Sequence, residues 1–271
     1  MADAPDEPDA ETLGLLEDAL CKTMTSSSGA ALESALVELG WHDMLDEMPK
    51  VAVPLVFRLL GETGSHAPVL NDVVLQALGR PPGGTVPLPY RGGNWVVWER
   101  RHEAGRQSST TIDPELPIHR VEAGSGIPLV AGRAALGWWL VGSSRAMLEL
   151  ARRHALDRTQ FGRPIASFQA VRHRLAETLV AIEGAEATLA CAGDELGALL
   201  AKAAAGQAAL TAAKHCQQVL GGLGFTAEHD FHRHFKRVLI LDGLLGGSRD
   251  LTRAAGRALR ANGSAPRIAQ L

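Results

Sequence analysis

The fold is decided by two short segments, ALDRTQFGRPI at residues 155–165 and QQVLGGLGFT at residues 217–226. Each interrupts a long stretch whose apolar residues recur at helical spacing. The spacing predicts helices over Leu129–Arg158 and Phe168–Leu200, a third from near Lys202 to Gly221-Gly222, and a last one after Ser248. Long antiparallel helices with short connections favour an up-down arrangement. The predicted fold is therefore mainly α, with a C-terminal four-helix bundle.

The rest of the chain divides into two zones of different character. Residues 1–80 show helical spacing and form a predicted N-terminal helical domain, with Gly40 and Gly61 as candidate helix stops. Residues 81–126 are rich in Pro and Gly, and contain strand-like pieces at Trp95–Trp98 and Ile118–Glu122. We interpret this zone as a reduced middle β region or a linker. The predicted domains are then 1–80, 81–126 and 127–271.

Composition excludes several classes of function. Lys plus Arg is 27 and Asp plus Glu is 30, so the net charge is −3 and gives no general attraction to nucleic acid or to an acidic membrane. The three cysteines are far apart and form no CxxC pair, which argues against a disulfide framework or a zinc site. No secretory signal is recognisable at the N-terminus, and no uninterrupted apolar run approaches the length of a membrane span. We expect a cytoplasmic protein with no membrane or nucleic-acid partner.

The two segments resemble the C-terminal helical domain of the acyl-CoA dehydrogenase family in their order and spacing. The resemblance covers roughly residues 127–260, and Val37–Trp41 resembles the family's N-terminal helical domain more weakly. It implies an acyl-CoA-dehydrogenase-like fold with FAD bound across a subunit interface. A Gly-rich stretch alone would be weak support, since this one is not the strand-to-helix fingerprint of dinucleotide-binding folds.

The resemblance also implies a set of cofactor contacts. An arginine in this position reaches the FAD pyrophosphate of the neighbouring subunit, and the planar guanidinium of Arg158 suits paired bonds to phosphate oxygens. The alternative reading is that Arg158 is a charge favoured by a helix C-terminus, and that Gly221-Gly222 only ends a helix. The full set of expected cofactor-binding residues is Arg158, Gln160, Phe161, Ile165 and Phe168 at the first segment, and Gln218, Val219 and Gly222 at the second.

The sequence departs from the family where a glutamate takes the α-proton of the acyl-CoA thioester. Counting without a gap through residues 231–247 puts Leu245 at the usual position, and Gly132 occupies the second position used by some members, before Arg133. Neither residue can accept a proton, so no catalytic residue is predicted. Asp242 is the alternative, as a relocated base; its competing reading is a turn residue ahead of Gly243. Residues 80–126 are also too short for the family's β-barrel.

These features together resemble the small, base-less subunit of heterotetrameric bacterial acyl-CoA dehydrogenases of the sterol-degradation type. The resemblance implies an α2β2 assembly in which a full-length partner supplies the glutamate, the flavin cover and most CoA contacts, and FAD is shared. The complex would form a 2,3-double bond in an acyl-CoA. Two alternatives stay open: an active homomeric enzyme that uses Asp242, and a non-enzymatic helical scaffold.

A cluster of histidines, His229, His232 and His234, offers a conceivable metal site. Residues i and i+2 of a helix do not face each other, so His232 and His234 are poorly placed to share an ion. We predict a solvated, partly basic helix here and no metal.

Overall fold

The structure, a computed structural model, describes residues 9–100 and 112–263. Five helices come first: α1 Ala10–Ser26, α2 Gly29–Glu38, α3 Trp41–Glu47, α4 Pro49–Thr63 and α5 Leu70–Ala77. Strands β1 Pro87–Tyr90, β2 Asn94–Trp98 and β3 Ile118–Val121 follow. The remaining elements are α6 Val130–Asp157, β4 Thr159–Gln160, β5 Arg163–Pro164, α7 Gln169–Ala190, α8 Glu195–Leu220, α9 Phe231–Gly243 and α10 Ser248–Asn262.

The four helices predicted for the bundle correspond to α6, α7, α8 and α10, and α9, which was not among them, packs on α6 and α8. Helices α6, α7 and α8 run in alternating directions. The beginning of α6 lies against the end of α7, where Gly137 packs on Leu189. Farther along, the Arg145 Nε donates to Glu186 at 2.6 Å. The alanine-rich α8 packs on both α6 and α7, because small side chains let three helices approach closely. The mainly α fold class is confirmed.

One predicted helix boundary is wrong. The chain does not continue as helix from Phe168 to Leu200, because α7 ends at Ala190 and α8 begins at Glu195. Asp194 is the N-cap of α8, and its Oδ1 accepts the Gly197 N–H at 2.7 Å. Capping by an aspartate satisfies an otherwise unpaired helix donor, and this signal outweighs the continuous apolar spacing.

Gly61 was predicted to end a helix, and this is also wrong. It lies inside α4, which ends instead at Gly64 with a φ of 68°. A Cβ on Gly61 would collide with the backbone of Trp139 and Ser143 in α6, and one on Gly142 would collide with the Arg58 carbonyl in α4. The two glycines therefore allow the backbones of α4 and α6 to cross in direct contact.

A chain of buried aromatic rings joins the N-terminal helices, the sheet and the bundle. Ring centroids are 6.3 Å apart for Trp41–Phe57, 5.7 Å for Phe57–Trp139 and 5.5 Å for Trp139–Trp98. These rings belong to one hydrophobic core that extends through all three predicted zones. Because the core is shared, the division into domains at residues 80 and 126 stays a prediction.

The middle zone contains a small antiparallel sheet in the order β1-β2-β3. The two predicted strand pieces match β2 and β3 to within one residue, whereas β1 was missed because Pro87 and Pro89 weaken the strand signal. β1 also ties the sheet to the end of the bundle, since the Leu245 N–H donates to the Pro89 carbonyl at 2.8 Å.

One stretch in the described part of the chain, Glu195–Phe225, is long and apolar enough to cross a membrane by length and composition alone. Of its most apolar window, 61% is buried inside the fold. This burial is typical of a core helix, and α8 has that position in the bundle.

Candidate cofactor-facing site

The first motif forms a tight hairpin at the junction of α6 and α7. Its strands β4 and β5 pair Gln160 with Arg163, and the Ile165 N–H donates to the Arg158 carbonyl at 2.8 Å. The two residues at the tip, Phe161 and Gly162, have φ values of 54° and 76°. A two-residue loop of type I′ requires positive φ at both positions, which glycine adopts freely and phenylalanine does not.

The strained tip projects an aromatic ring into solvent. The Phe161 side chain is 91% exposed, and its ring makes a T-shaped contact with the ring of Phe168, at 6.1 Å between centroids and an interplanar angle of 83°. The Arg163 guanidinium covers the Phe168 ring at 4.4 Å, and Ile165 packs against the core. Left-handed backbone at a non-glycine residue together with an exposed ring is typical of a binding site rather than of a stabilising turn.

Arg158 follows the last residue of α6 and is exposed. Within residues 9–100 and 112–263, its guanidinium has no hydrogen bond or ion pair, whereas Arg145 on the same helix binds both Glu183 and Glu186. Burial lowers the pKa of the nearby His154, and the positive charge of Arg158 lowers it further. A positive charge at the C-terminus of α6 is also favoured by the helix dipole, which is the alternative interpretation of Arg158.

The second motif ends α8 at the same end of the bundle, since α6 finishes, α7 begins and α8 finishes there. Gly221 has a φ of 59°, and neither Gly221 nor Gly222 has any atom within 4 Å of where a Cβ would stand. A ligand can therefore approach this backbone closely. Gln218 is exposed, but Val219 is 7% exposed and belongs to the hydrophobic core. The side chain of Val219 thus faces the core, and its expected contact with the cofactor stays a prediction.

Sequence reasoning missed some of the exposed apolar surface near the motifs. Phe225 is 71% exposed, and Leu223 and Leu156 are each about half exposed. All three lie within or beside the two motifs, at the end of the bundle that carries Phe161. The apolar side chains of Leu223 and Phe225 inside a Gly-rich turn were a signal that could have been used, since exposed apolar clusters mark interfaces.

These groups fit part of an FAD molecule. An exposed arginine without a partner suits a pyrophosphate, an exposed ring suits a flat heterocycle, and open glycine backbone admits close contact. Arg158, Gln160, Phe161 and Ile165 belong to one hairpin, and Phe168 follows it at the start of α7. Gln218 and Gly222 lie at the same end of the bundle.

The two residues at the family's base positions, Gly132 and Leu245, lie side by side near the beginning of α6. A Cβ on Gly132 would stand 2.8 Å from the Leu245 side chain. Leu245 is 1% exposed, in left-handed conformation with a φ of 55°, and its carbonyl accepts from the Arg133 Nε at 3.3 Å. Two positions that carry the same base in different members of the family should lie close together in the fold. The contact between Gly132 and Leu245 therefore supports the ungapped count that assigned Leu245 to the base position. The place is filled by a leucine packed in the core.

Asp242 has structural partners. Its Oδ1 accepts the Ser248 N–H at 3.2 Å at the start of α10, and a Cβ on Gly206 would collide with it. The fully buried Lys202 donates to the carbonyls of Asp242 and Gly246 at 2.8 and 3.1 Å, and burial lowers the pKa of Lys202 to about 8. These contacts fix the loop between α9 and α10 and give the carboxylate a capping role.

The histidine cluster behaves differently from the prediction. His234 is buried in α9, so the expectation of a solvated helix is wrong at that residue, and burial lowers its pKa to about 4. The apolar face of α9 carries His234 inward together with Phe231 and Val238. No group of three or more His, Cys, Asp or Glu residues that could hold a metal occurs in the described part of the chain.

Comparison with known proteins gives consistent results. Residues 127–258 match the family described as acyl-CoA dehydrogenase, C-terminal domain. The chain is 36% identical over 199 residues to the acyl-CoA dehydrogenase FadE34 of Mycobacterium tuberculosis, covering 66% of this chain and 28% of FadE34. It is 38% identical over 171 residues to the acyl-CoA dehydrogenase IpdE2 of the same organism, covering 59% of this chain and 53% of IpdE2. The chain thus spans about half the length of IpdE2 and less of FadE34.

The fold has close neighbours among solved structures. A chain of the ChsE4–ChsE5 complex from Mycobacterium tuberculosis superposes with a TM-score of 0.68 at 18% identity, over 98% of this chain and 100% of that one. At this identity the likeness concerns the fold, and it extends through the N-terminal helices and the sheet as well as the bundle. Residues 127–258 therefore form an acyl-CoA dehydrogenase C-terminal domain, and the chain has an acyl-CoA-dehydrogenase-like fold.

Proposed function

We propose that the chain is the non-base-bearing subunit of a heteromeric, FAD-dependent acyl-CoA dehydrogenase. It completes the FAD site of a full-length partner in an α2β2 assembly. The complex forms a 2,3-double bond in an acyl-CoA thioester, and we propose a steroid-derived acyl group from the family resemblance alone. The cytoplasm is the proposed location.

The observation that carries the proposal is the contrast between the two ends of the bundle. At one end, Arg158 and Phe161 are exposed, and Arg158 has no hydrogen bond or ion pair within residues 9–100 and 112–263, as a surface that faces another subunit requires. At the other end, Leu245 and Gly132 fill the base positions with packed core. A chain with this distribution has exposed groups that can bind a cofactor held by a neighbouring subunit, and it has no proton acceptor at the two base positions.

The chemistry divides between the subunits accordingly. FAD, when bound, would supply the acceptor for the hydride that leaves the β-carbon of the acyl group, and the partner's glutamate would take the α-proton. Arg158 holds a phosphate through charge-assisted hydrogen bonds, and Phe161 shields the cofactor from water by covering it. Gln160 and Gln218 supply neutral hydrogen bonds, and Gly222 lets the backbone approach.

The test is dehydrogenase turnover with an artificial electron acceptor, measured for this chain alone, for a candidate full-length partner alone and for the two co-expressed. We expect turnover only from the pair, and loss of that turnover when the partner's glutamate is replaced by Gln. Full turnover from this chain alone would refute the proposal.

Neither alternative is favoured by a specific contact. A homomeric enzyme needs Asp242 free to reach a substrate, but this carboxylate caps α10 and is 6% exposed. A pure scaffold gives no reason for the strained, exposed Phe161. The turnover assay separates both from the proposal, since a scaffold adds nothing to the partner's rate.

A further inference from the structure

A serine and a histidine from distant parts of the chain meet at the start of α2. The Ser28 Oγ lies 2.8 Å from the Nδ1 of His66, 38 residues along the chain. Ser28 is exposed, whereas His66 is 7% exposed. In the part of the chain that the structure describes, no other serine hydroxyl bonds a histidine ring; the neighbouring Ser26 and Ser27 donate to the Thr23 carbonyl instead. A hydroxyl within hydrogen-bond distance of an imidazole is the arrangement that activates a serine nucleophile.

The backbone around the pair holds the two side chains in place. The Gly29 N–H donates to the His66 carbonyl at 2.6 Å, and the His66 N–H donates to the Ser28 Oγ at 3.3 Å. The Ser65 hydroxyl also donates to the Met24 carbonyl, which ties the segment before α5 to the end of α1. Because both segments are fixed by these bonds, the hydroxyl and the imidazole face each other before any substrate arrives.

The imidazole of His66 is in the state that a proton acceptor needs. Burial lowers the pKa of His66 to about 4, and the positive charge of Arg237 lowers it further, against an opposing effect of the Asp113 carboxylate. The ring is therefore neutral at pH 7, and in the tautomer with its proton on Nε2 the Nδ1 accepts the proton of Ser28. The His66 N–H that donates to the same Oγ also stabilises negative charge that develops there.

The first turn of α2 offers donors to a second negative charge. Ser28 is the N-cap of α2, but its side chain caps no backbone N–H. A capping oxygen ordinarily accepts from the second or third residue of the helix, which here are Ala30 and Ala31. Both residues are exposed, and no acceptor for either N–H occurs among the described residues. An oxyanion that forms on a carbon bonded to the Ser28 Oγ would lie beside these two donors.

We propose that Ser28 is a nucleophile that accepts an acyl group from an activated ester or thioester, with His66 as its general base. The Ser28 Oγ forms a bond to the carbonyl carbon, and its proton moves to the His66 Nδ1. The C–O or C–S bond to the leaving group then breaks, and the leaving group takes the proton from Nδ1. Water releases the carboxylic acid from acylated Ser28 by the same route, with His66 again accepting the proton.

The weak basicity of His66 and the open site select the substrate class. A base with so low a pKa removes a proton slowly, so an acyl donor reacts at a measurable rate when its leaving group is a good one. Phenolates and thiolates are such leaving groups, whereas amines are not. The site uses neither FAD nor a partner subunit, and therefore does not rest on the proposed function.

The test is reaction of the full chain with p-nitrophenyl acetate, followed by nitrophenolate absorbance, with the acetylated peptide identified by mass spectrometry. We expect an acetyl group on Ser28 and no reaction with the corresponding amide, p-nitroacetanilide. Ser28→Ala should remove this acetylation, and His66→Asn should slow it about 10²-fold or more, as loss of a general base does.

Ser26→Ala is the matched control, because Ser26 is exposed in the same run of serines and its hydroxyl bonds only a backbone carbonyl. Ser28 and Ser26 are both exposed, so both alanine variants should fold, and Ser26→Ala should react as the wild type does. The proposal is overturned if no acetyl group is found on Ser28, if Ser28→Ala releases nitrophenolate as fast as the wild type, or if Ser26→Ala reacts as slowly as Ser28→Ala. A chain that is acetylated on Ser28 but adds nothing to a partner's turnover would refute only the proposed function.

Discussion

Replacing Arg158 with Gln should separate cofactor binding from stability. The side chain is exposed and has no partner in the described structure, so its loss should change the free energy of unfolding by less than about 0.5 kcal/mol. If it binds the pyrophosphate of a partner's FAD, the variant loses charge-assisted hydrogen bonds of about 1.5–3 kcal/mol. At 1.4 kcal/mol per tenfold change, FAD affinity of the heteromer should fall about 10- to 150-fold.

The assay is titration of the flavin-depleted heteromer with FAD, followed by flavin fluorescence, beside a thermal melt of the isolated chain. Arg152→Gln is the control, because Arg152 is exposed on the same helix and binds only Glu149. It should leave FAD affinity unchanged. The reasoning is refuted if Arg158→Gln binds FAD as tightly as the wild type, or if its melting temperature falls by several degrees, which would show that Arg158 stabilises α6.

Three further predictions concern the rest of the chain. Gly142→Ala should destabilise the chain by about 1–3 kcal/mol, because the new Cβ would collide with the Arg58 carbonyl, whereas Gly184→Ala adds a Cβ in open space and should not destabilise it. Urea unfolding distinguishes the two variants, and equal unfolding midpoints would contradict the direct crossing of α4 and α6. Asp242→Asn should reduce turnover of the heteromer less than tenfold, whereas loss of a general base lowers the rate on the order of 10²-fold or more. A decrease of that size in the single-turnover rate would identify Asp242 as the base. Burial lowers the pKa values of His66 and His234 from 6.5 to about 4, so as the pH falls these histidines take up protons in the unfolded chain before they do so in the folded one. The free energy of unfolding should therefore be highest above pH 6.5 and should fall by about 1.4 kcal/mol per pH unit per histidine toward pH 4. Urea midpoints at pH 7 and 5 test this, and a His66→Asn chain with an unchanged pH dependence would contradict it.

The bundle was predictable because its signals are local and periodic. The end of α6 at Asp157 and the start of α10 at Ser248 agree with the predicted limits to within a residue, since both carry turn chemistry beside an apolar repeat. The hairpin of residues 158–165 was recognised as a motif, but its positive φ at Phe161 was not, because residue type gives no hint of it. The break at residues 191–194 was missed because Asp194 competes with uninterrupted helical spacing.

Properties that depend on distant contacts could not be predicted. Gly61 looks like a helix stop in sequence and is a crossing point in the fold, because its neighbours in α6 are some eighty residues away. Val219 lies in the binding motif, but the packing of α8 directs its side chain into the core. The adjacency of Gly132 and Leu245 follows only from the return of α9 along α6, and it is the contact that gives the gap-free counting its spatial support.

The measurement that tests the central claim most directly is the flavin content of the chain purified alone and co-purified with a full-length partner that carries the glutamate. The visible spectrum, together with the protein concentration, gives the ratio of FAD to each subunit. The account predicts no flavin band for the chain alone and one FAD per heterodimer in the complex. A yellow chain that retains one FAD per subunit without a partner would contradict it.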